Sequence, residues 1–364
     1  MTGYRCLQIP QLPAQITDGI WIQNFSKAIT KTNGAISKYQ HGFRRNHGCP
    51  TALAHLFENV NHHFAPETFL LFVDFQNAFG TVRHNFLLQR LKKLLSHGLH
   101  NLVRDQLTNR YVVAYEDGKQ SDPVLIPDIG VPQGSNGGPV YFISYAELII
   151  DILKKFQKIL QIWFADDLII QLMVKDREQG YEMVKEMMME FTSKTAEIGI
   201  SVAPHKSQFM IVGELNELPP ITYTVSNVEY TIKHKTHMSH LGFQFDAKFD
   251  FRTHFQMLNE KIRSFRPLVL NVLKAGNRQE AGHLARSLGF GVLQYGYDVL
   301  SLGNSSDYSM LNRALLDMAK DILNIPRFDN HHTVSQNIIF HEMGWTETHL
   351  MFTKLQSLLF YTEH

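Results

Sequence analysis

The sequence predicts an α+β chain that becomes all-α beyond about residue 250. Three observations carry this. Residues 68–75 (TFLLFVDF) are a short apolar run with an acid near its end, the pattern of a buried strand. Residues 159–164 and 168–174 are two further apolar runs, parted only by Ala165-Asp166-Asp167. Beyond Phe251 the pattern turns mostly helical to the C-terminus.

The remaining elements follow in order. Residues 1–40 read as mixed coil with a short helix. Residues 51–64 place Leu53, Leu56, Phe57, Val60 and Phe64 at helical spacing. Residues 83–95 are amphipathic, with Leu87, Leu91, Leu94 and Leu95 on one face and basic residues on the other. Residues 110–114 and 123–129 read as strands flanking an Asp117-Gly118 turn. Residues 130–139 (GVPQGSNGGP) must be a loop, and 140–155 a helix. Residues 178–198 form a helix with Val184, Met187, Met188, Phe191 and Ile198 on one face. Strands are expected at 209–212, 228–233 and 241–245. The change of character near residue 250 is the main expected boundary.

The chain has 364 residues, 44% hydrophobic and 19% charged, enough apolar material for two or three packed subdomains. A formal net charge of +1 says nothing about nucleic acid, but its distribution does. Residues 19–57, 75–104 and 261–279 each carry five basic residues and no acid. Such patches fit a surface that meets phosphates in separate places, or solvated helix faces. Two cysteines, Cys6 and Cys49, make no disulfide framework and match no zinc spacing. With no signal-like N-terminus and no apolar run of membrane-spanning length, an intracellular protein is expected. His234, His237, His240 and the pair His331-His332 lack a partner at metal-motif spacing.

Three features bear on chemistry. Asp166-Asp167 are adjacent acids between apolar strands. Two buried like charges need a compensating cation, so the pair is either a metal site or an exposed hairpin turn. Asp74 ends an apolar strand, and beside that hairpin it would complete a three-carboxylate cluster. Hard oxygen ligands suit Mg²⁺, and two such ions can activate a 3′-hydroxyl and stabilise a pyrophosphate leaving group. Pro132-Gln133-Gly134-Ser135 is a glycine-rich loop before a helix, suited to close approach of a nucleotide or to a plain turn.

Together, in this order, these features resemble the reverse transcriptases of LINE-type (non-LTR) retrotransposons, of the jockey and CR1-like branches. Gln40-His41-Gly42-Phe43-Arg44 is similar to a fingers motif of that family. Phe72-Val73-Asp74-Phe75-Gln76-Asn77-Ala78-Phe79 resembles palm motif A, residues 130–142 motif B, and Phe164-Ala165-Asp166-Asp167 motif C. Residues 199–206 resemble motif D, Leu241-Gly242 the primer grip of motif E, and Gln294-Tyr295-Gly296 part of the thumb. The resemblance implies a right-hand polymerase, with partial fingers over 1–66, a palm with an antiparallel sheet over 67–250, and a helical thumb and connection over 251–364. It implies that Asp74, Asp166 and Asp167 hold two Mg²⁺ (or Mn²⁺) ions, joined by the Phe75 carbonyl. Phe79 would be the steric gate favouring dNTPs, and Gln133 and Gly134 would border the nucleotide. Lys206 would protonate pyrophosphate, and Arg44 or Arg45 would contact template or triphosphate. RNA template, DNA primer and dNTPs are the implied partners, with no membrane.

The sequence also departs from the family. Gly80 stands where an Asp is usual, and Asn136-Gly137 are expected to loosen motif B. Before Gln40 only Tyr4-Arg5 resemble the earlier fingers motif. No endonuclease-like segment precedes the motifs and no Cys/His knuckle follows, so an isolated or truncated polymerase module is expected. Three functions stand open: an RNA-directed DNA polymerase, a decayed or domesticated copy that only binds nucleic acid or a partner, and an RNA-directed RNA polymerase. Phe79 argues against the last.

Overall fold

The computed structural model describes residues 12–32, 34–62, 66–295, 303–326 and 334–352. Tyr4-Arg5, Gly296 and His331-His332 lie outside the described residues. The helices are α1 (Leu12–Lys31), α2 (Cys49–His62), α3 (His84–Leu91), α4 (His97–Leu107), α5 (Gly138–Leu153), α6 (Arg177–Glu197), α7 (Arg252–Ser264), α8 (Arg266–Lys274), α9 (Arg278–Gln294), α10 (Ser305–Leu323) and α11 (Gln336–Glu342). The strands are β1 (Glu67–Val73), the two-residue β2 (Tyr111–Val112), β3 (Tyr115–Glu116), β4 (Lys119–Gln120) and β5 (Val124–Leu125), then β6 (Ile159–Phe164), β7 (Asp167–Val174), β8 (Gln208–Ile211), β9 (Ile221–Val225), β10 (Val228–His234), β11 (His237–His240) and β12 (Phe243–Asp246). Among the described residues no helix is long and apolar enough to cross a membrane.

Contacts divide the chain into two compact units. The first holds Met1–Gly48, His63–Ile211 and Glu217–Lys235. Its centre is a six-stranded sheet in the order β6-β7-β1-β8-β10-β9. All neighbours run antiparallel except β8 and β10. The central β1 is apolar because Thr68 to Val73 are all buried. Phe69, Leu71 and Val73 face a core shared with α5 and α6. α5 is buried along most of its length, which explains why its sequence is almost wholly apolar. Asp176 caps α6 by accepting from the Gln179 amide (2.9 Å).

The second unit holds Cys49–His62, Val212–Asn216 and Thr236–His364. Its core gathers α2 onto the β11–β12 hairpin and α7 through an aromatic cluster. Phe57 lies 4.5–5.7 Å from the rings of Phe243, Phe245, Phe249 and Phe251. α7 to α11 complete it, and α10 opens with a capping box between Asn304 and Asp307.

Most expected elements are present within two or three residues of their expected bounds. The corrections have local causes. Among the described residues of the first 40, a helix of 20 residues, Leu12–Lys31, stands where a short helix is expected. β9, β11 and α4 were not expected, and 110–129 holds only two-residue strand pairs around the Asp117-Gly118 turn. The strand expected at 241–245 begins at Phe243, because Leu241 and Gly242 both take positive φ (49° and 70°) as the hairpin turn.

Candidate active site

The β6–β7 hairpin turns through Ala165-Asp166, with Phe164 opposite Asp167. Ala165 alone in that turn has positive φ, 56°, unfavourable for a residue with a Cβ. β1 lies on the other side of β7, in a register that ends with Val73 opposite Leu168. One step further along the same register stand Asp74 and Asp167. The ends of two neighbouring strands therefore put Asp74, Asp166 and Asp167 at one edge of the sheet, all partly exposed.

The segment after β1 is tied to the chain that follows α6. The Ala203 amide donates to the Asp74 carbonyl (2.8 Å), and the Gln76 amide to Ser201 (2.8 Å). Phe75 and Val202 form an antiparallel bridge. The Asp74 amide donates to Ser207 Oγ (3.2 Å). These bonds bring Lys206 beside Asp74, with Nζ 3.9 Å from Oδ1 and the lysine side chain 58% exposed. The Phe75 side chain points inward and stacks on Trp163.

Phe79 stands in a short helical turn, Ala78–Thr81, and its ring stacks on Phe142 of α5 at 4.3 Å. The glycine-rich loop docks on this turn. The Val131 amide donates to the Phe79 carbonyl (2.9 Å) and the Gly130 amide to that of Val82 (2.7 Å). Buried His84 bonds the Gly130 carbonyl through Nε2 (2.8 Å), and desolvation holds its pKa below the ordinary value. Gln133 is half-buried and Gly134 exposed, with φ 108°. Ser135 Oγ accepts from the Gly138 amide (3.0 Å) at the start of α5. A Cβ on Gly138 would run into the Pro132 carbonyl, and one on Gly137 would crowd the Tyr141 ring. The glycines that looked like slack are places of close approach. At Gly80 a side chain would collide with that of Asn77.

Arg44 and Arg45 part company. Arg44 Nη1 donates to the carbonyls of Ser37 (2.9 Å) and Gln40 (2.7 Å). Burial lowers its pKa, partly offset by Glu147. Arg45 is exposed. In the second unit, Leu241 accepts a hydrogen bond from the Tyr295 hydroxyl, and Gly242 lies against the same ring.

The three carboxylates offer the hard oxygen donors a divalent ion takes. Among the described residues, however, no three His, Cys, Asp or Glu side chains are drawn together as a ligand set.

Three acids stand at one end of the sheet, with a glycine-rich loop docked on the helical turn that carries Phe79. The chain belongs to the reverse transcriptase (RNA-dependent DNA polymerase) family, whose model matches residues 3–245. It is 27% identical, over 63% of its length and 25% of the relative's, to the RNA-directed DNA polymerase from mobile element jockey of Drosophila funebris. With the jockey polymerase of Drosophila melanogaster the identity is 24%, over 82% of this chain and 32% of the relative. The probable RNA-directed DNA polymerase from transposon BS of the same fly is 23% identical over 60% of this chain and 24% of the relative. The chain thus spans about a quarter to a third of these curated relatives. Among solved structures, telomerase from Candida tropicalis with the TWJ fragment of telomeric RNA aligns over 92% of this chain and 56% of that one, at 11% identity and a TM-score of 0.46.

Sequence reasoning missed Gln40, Ser207, His84 and Glu147 as organisers of this region. Of these, Gln40 alone lies within a segment that resembles a family motif. Each has a partner distant in sequence, so periodicity carries no signal for it.

Proposed function

We propose that this chain is the RNA-directed DNA polymerase module of a non-LTR retrotransposon, extending a primer 3′ end on an RNA template with dNTPs. The observation that carries the reading is the β1–β7 register, which sets Asp74 and Asp167 opposite one another with Asp166 in the adjoining turn. Asp74, Asp166 and Asp167 would hold two Mg²⁺ or Mn²⁺ ions. Bound there, the ions would supply the positive charge that eases loss of the 3′-hydroxyl proton and offsets charge on the pyrophosphate.

The chain's own residues do the rest. Phe79 limits the space beside the sugar and selects against a 2′-hydroxyl. Gln133 and Gly134 border the nucleotide, and the open Gly134 backbone lets it approach closely. Lys206 holds a proton at Nζ for the leaving pyrophosphate. Arg45, exposed beside the folded-back Arg44, meets template phosphate. Leu241 and Gly242 present backbone to the primer. Residues 1–66, 67–250 and 251–364 act as partial fingers, palm, and thumb with connection.

The test is extension of a DNA primer on an RNA template with Mg²⁺ or Mn²⁺ and dNTPs, by wild type and Asp166→Asn. Template-dependent extension lost in the variant is expected. No extension by wild type, or equal extension by the variant, overturns the proposal. Salt-sensitive RNA binding without dNTP affinity would then favour a copy that binds without catalysis.

A further inference from the structure

The motif Gln40-His41-Gly42-Phe43-Arg44 has no chemistry in the reading above, yet it is built into the carboxylate turn. Residues 39–41 lie along β6 through one isolated bridge. Gln40 bridges Trp163 in parallel, the Trp163 amide donates to Tyr39 (2.9 Å), and the His41 amide donates to Trp163 (2.7 Å). This places the Gln40 side chain, wholly buried, over the hairpin turn. Its Nε2 donates to the Ala165 carbonyl (3.2 Å), and its Oε1 accepts from the Ala165 amide (2.9 Å). One side chain thus satisfies both backbone groups of the one residue that holds the turn at positive φ.

The clamp is itself held. Oε1 also accepts from the Gly42 amide (2.8 Å), and a Cβ on Gly42 would run into the Ala165 nitrogen. Arg44 pins the Gln40 carbonyl from behind. Its second acceptor, Ser37, donates its own amide to buried Glu147 of α5 (2.8 Å). A chain of bonds therefore runs from α5 through Ser37, Arg44 and Gln40 to Ala165, next to Asp166.

We propose that Gln40 is a positioning residue: its amide clamps Ala165 in the left-handed conformation and thereby fixes where Asp166 and Asp167 present their carboxylates. Gly42 and Arg44 hold Gln40 in place, so Arg44 acts on the site through the clamp rather than on template. The metal role of the carboxylates rests on the polymerase reading, but the clamp is testable apart from it. Residues that orient metal ligands typically alter metal affinity or activity by roughly 10–100-fold.

The experiment compares wild type, Gln40→Met, which keeps length and burial but loses all three amide bonds, and Gln40→Met with Ala165→Gly. Glycine takes positive φ without help, so the second change should rescue the first. Mn²⁺ binding to the protein alone is followed by electron paramagnetic resonance, beside primer extension and thermal unfolding. Gln40→Met is expected to bind Mn²⁺ roughly tenfold more weakly, and to lose a similar factor in kcat with little change in KM for dNTP. The double variant should recover most of both. A merely structural role would lower Tm without the rescue. A folded Gln40→Met with wild-type Mn²⁺ affinity and kcat overturns the proposal. Should that variant not fold, Gln40→Asn, whose amide falls one methylene short, replaces it: weakened Mn²⁺ binding supports the clamp and unchanged binding overturns it. A wild type that binds Mn²⁺ but extends no primer sinks the polymerase reading alone, and the clamp is then judged on Mn²⁺ binding and its rescue.

Discussion

The Phe79 ring lies flat against Phe142, with centroids 4.3 Å apart and planes 18° apart. Phe142 is buried on α5, so the ring proposed as the sugar gate is backed by a helix that follows the glycine-rich loop. Sugar selection should therefore depend on both rings. Phe79→Val is expected to raise rNTP relative to dNTP incorporation by about tenfold or more, the scale of one steric contact in a pocket. Phe142→Ala should move the same ratio in the same direction by less, because Phe79 keeps its ring but loses its backing. Single-nucleotide incorporation with matched rNTP and dNTP measures both. A Phe142 variant with unchanged selectivity would show that the ring stack does not set the gate.

Phe57 supports the second unit in a comparable way. It is buried, and four phenylalanine rings lie within 5.7 Å of its own. Phe57→Ala should cost about 3–5 kcal/mol, by lost transfer energy plus the cavity left between α2 and the β11–β12 hairpin. Urea unfolding followed by circular dichroism would show this as an earlier transition. A loss below about 1 kcal/mol would mean the aromatic cluster closes over the gap.

What the sequence disclosed, and what it hid, divides by range of interaction. Asp74, Asp166 and Asp167 were legible because each adjoins an apolar run whose burial the composition announces, and because a strand end and a tight turn are local features. The Gln40 clamp was not legible, since it joins residues 125 positions apart through one side chain. Arg44 showed the same limit: a basic residue in a basic stretch reads as a phosphate contact, and only the fold reveals that two carbonyls claim it. β9 was overlooked because five residues, ITYTV, are too few for the alternation of buried and exposed positions to stand out. Leu241 was assigned to a strand because an apolar residue beside Gly242 carries no sign that its own φ will be positive.

Glu147 should make the first unit lose stability as pH rises. It is 2% exposed, and desolvation pushes its pKa up to about 6 from 4.5, against the Ser37 amide and Arg90. Below pH 4.5 the carboxyl is protonated in both folded and unfolded states. Between the two values only the folded state keeps the proton, so stability falls with rising pH and levels off above about 6. The shift corresponds to roughly 2 kcal/mol at neutral pH. Glu147→Gln, which keeps an acceptor for Ser37, should gain stability relative to wild type across that window. Denaturant midpoints at pH 4.5 and 7 test this, and a difference that does not grow with pH refutes it.

His254 should give the second unit the opposite slope. Its ring is buried, stacks on Phe243 at 3.9 Å and accepts the Gln244 amide through Nδ1 (3.2 Å). Desolvation lowers its pKa to about 4 from 6.5. Above pH 6.5 the ring is neutral in both states and its full contribution is present. As pH falls below 6.5 the unfolded state takes up a proton that the folded state refuses, so stability drops by up to about 3 kcal/mol towards pH 4. His254→Phe would keep the stack and lose the acceptor, costing about 1–3 kcal/mol at pH 7. It should, however, be less sensitive to acid than wild type. Equal acid sensitivity in the two proteins would place the titration elsewhere, and half-buried His240, with its pKa also lowered to about 4, is the next group to change.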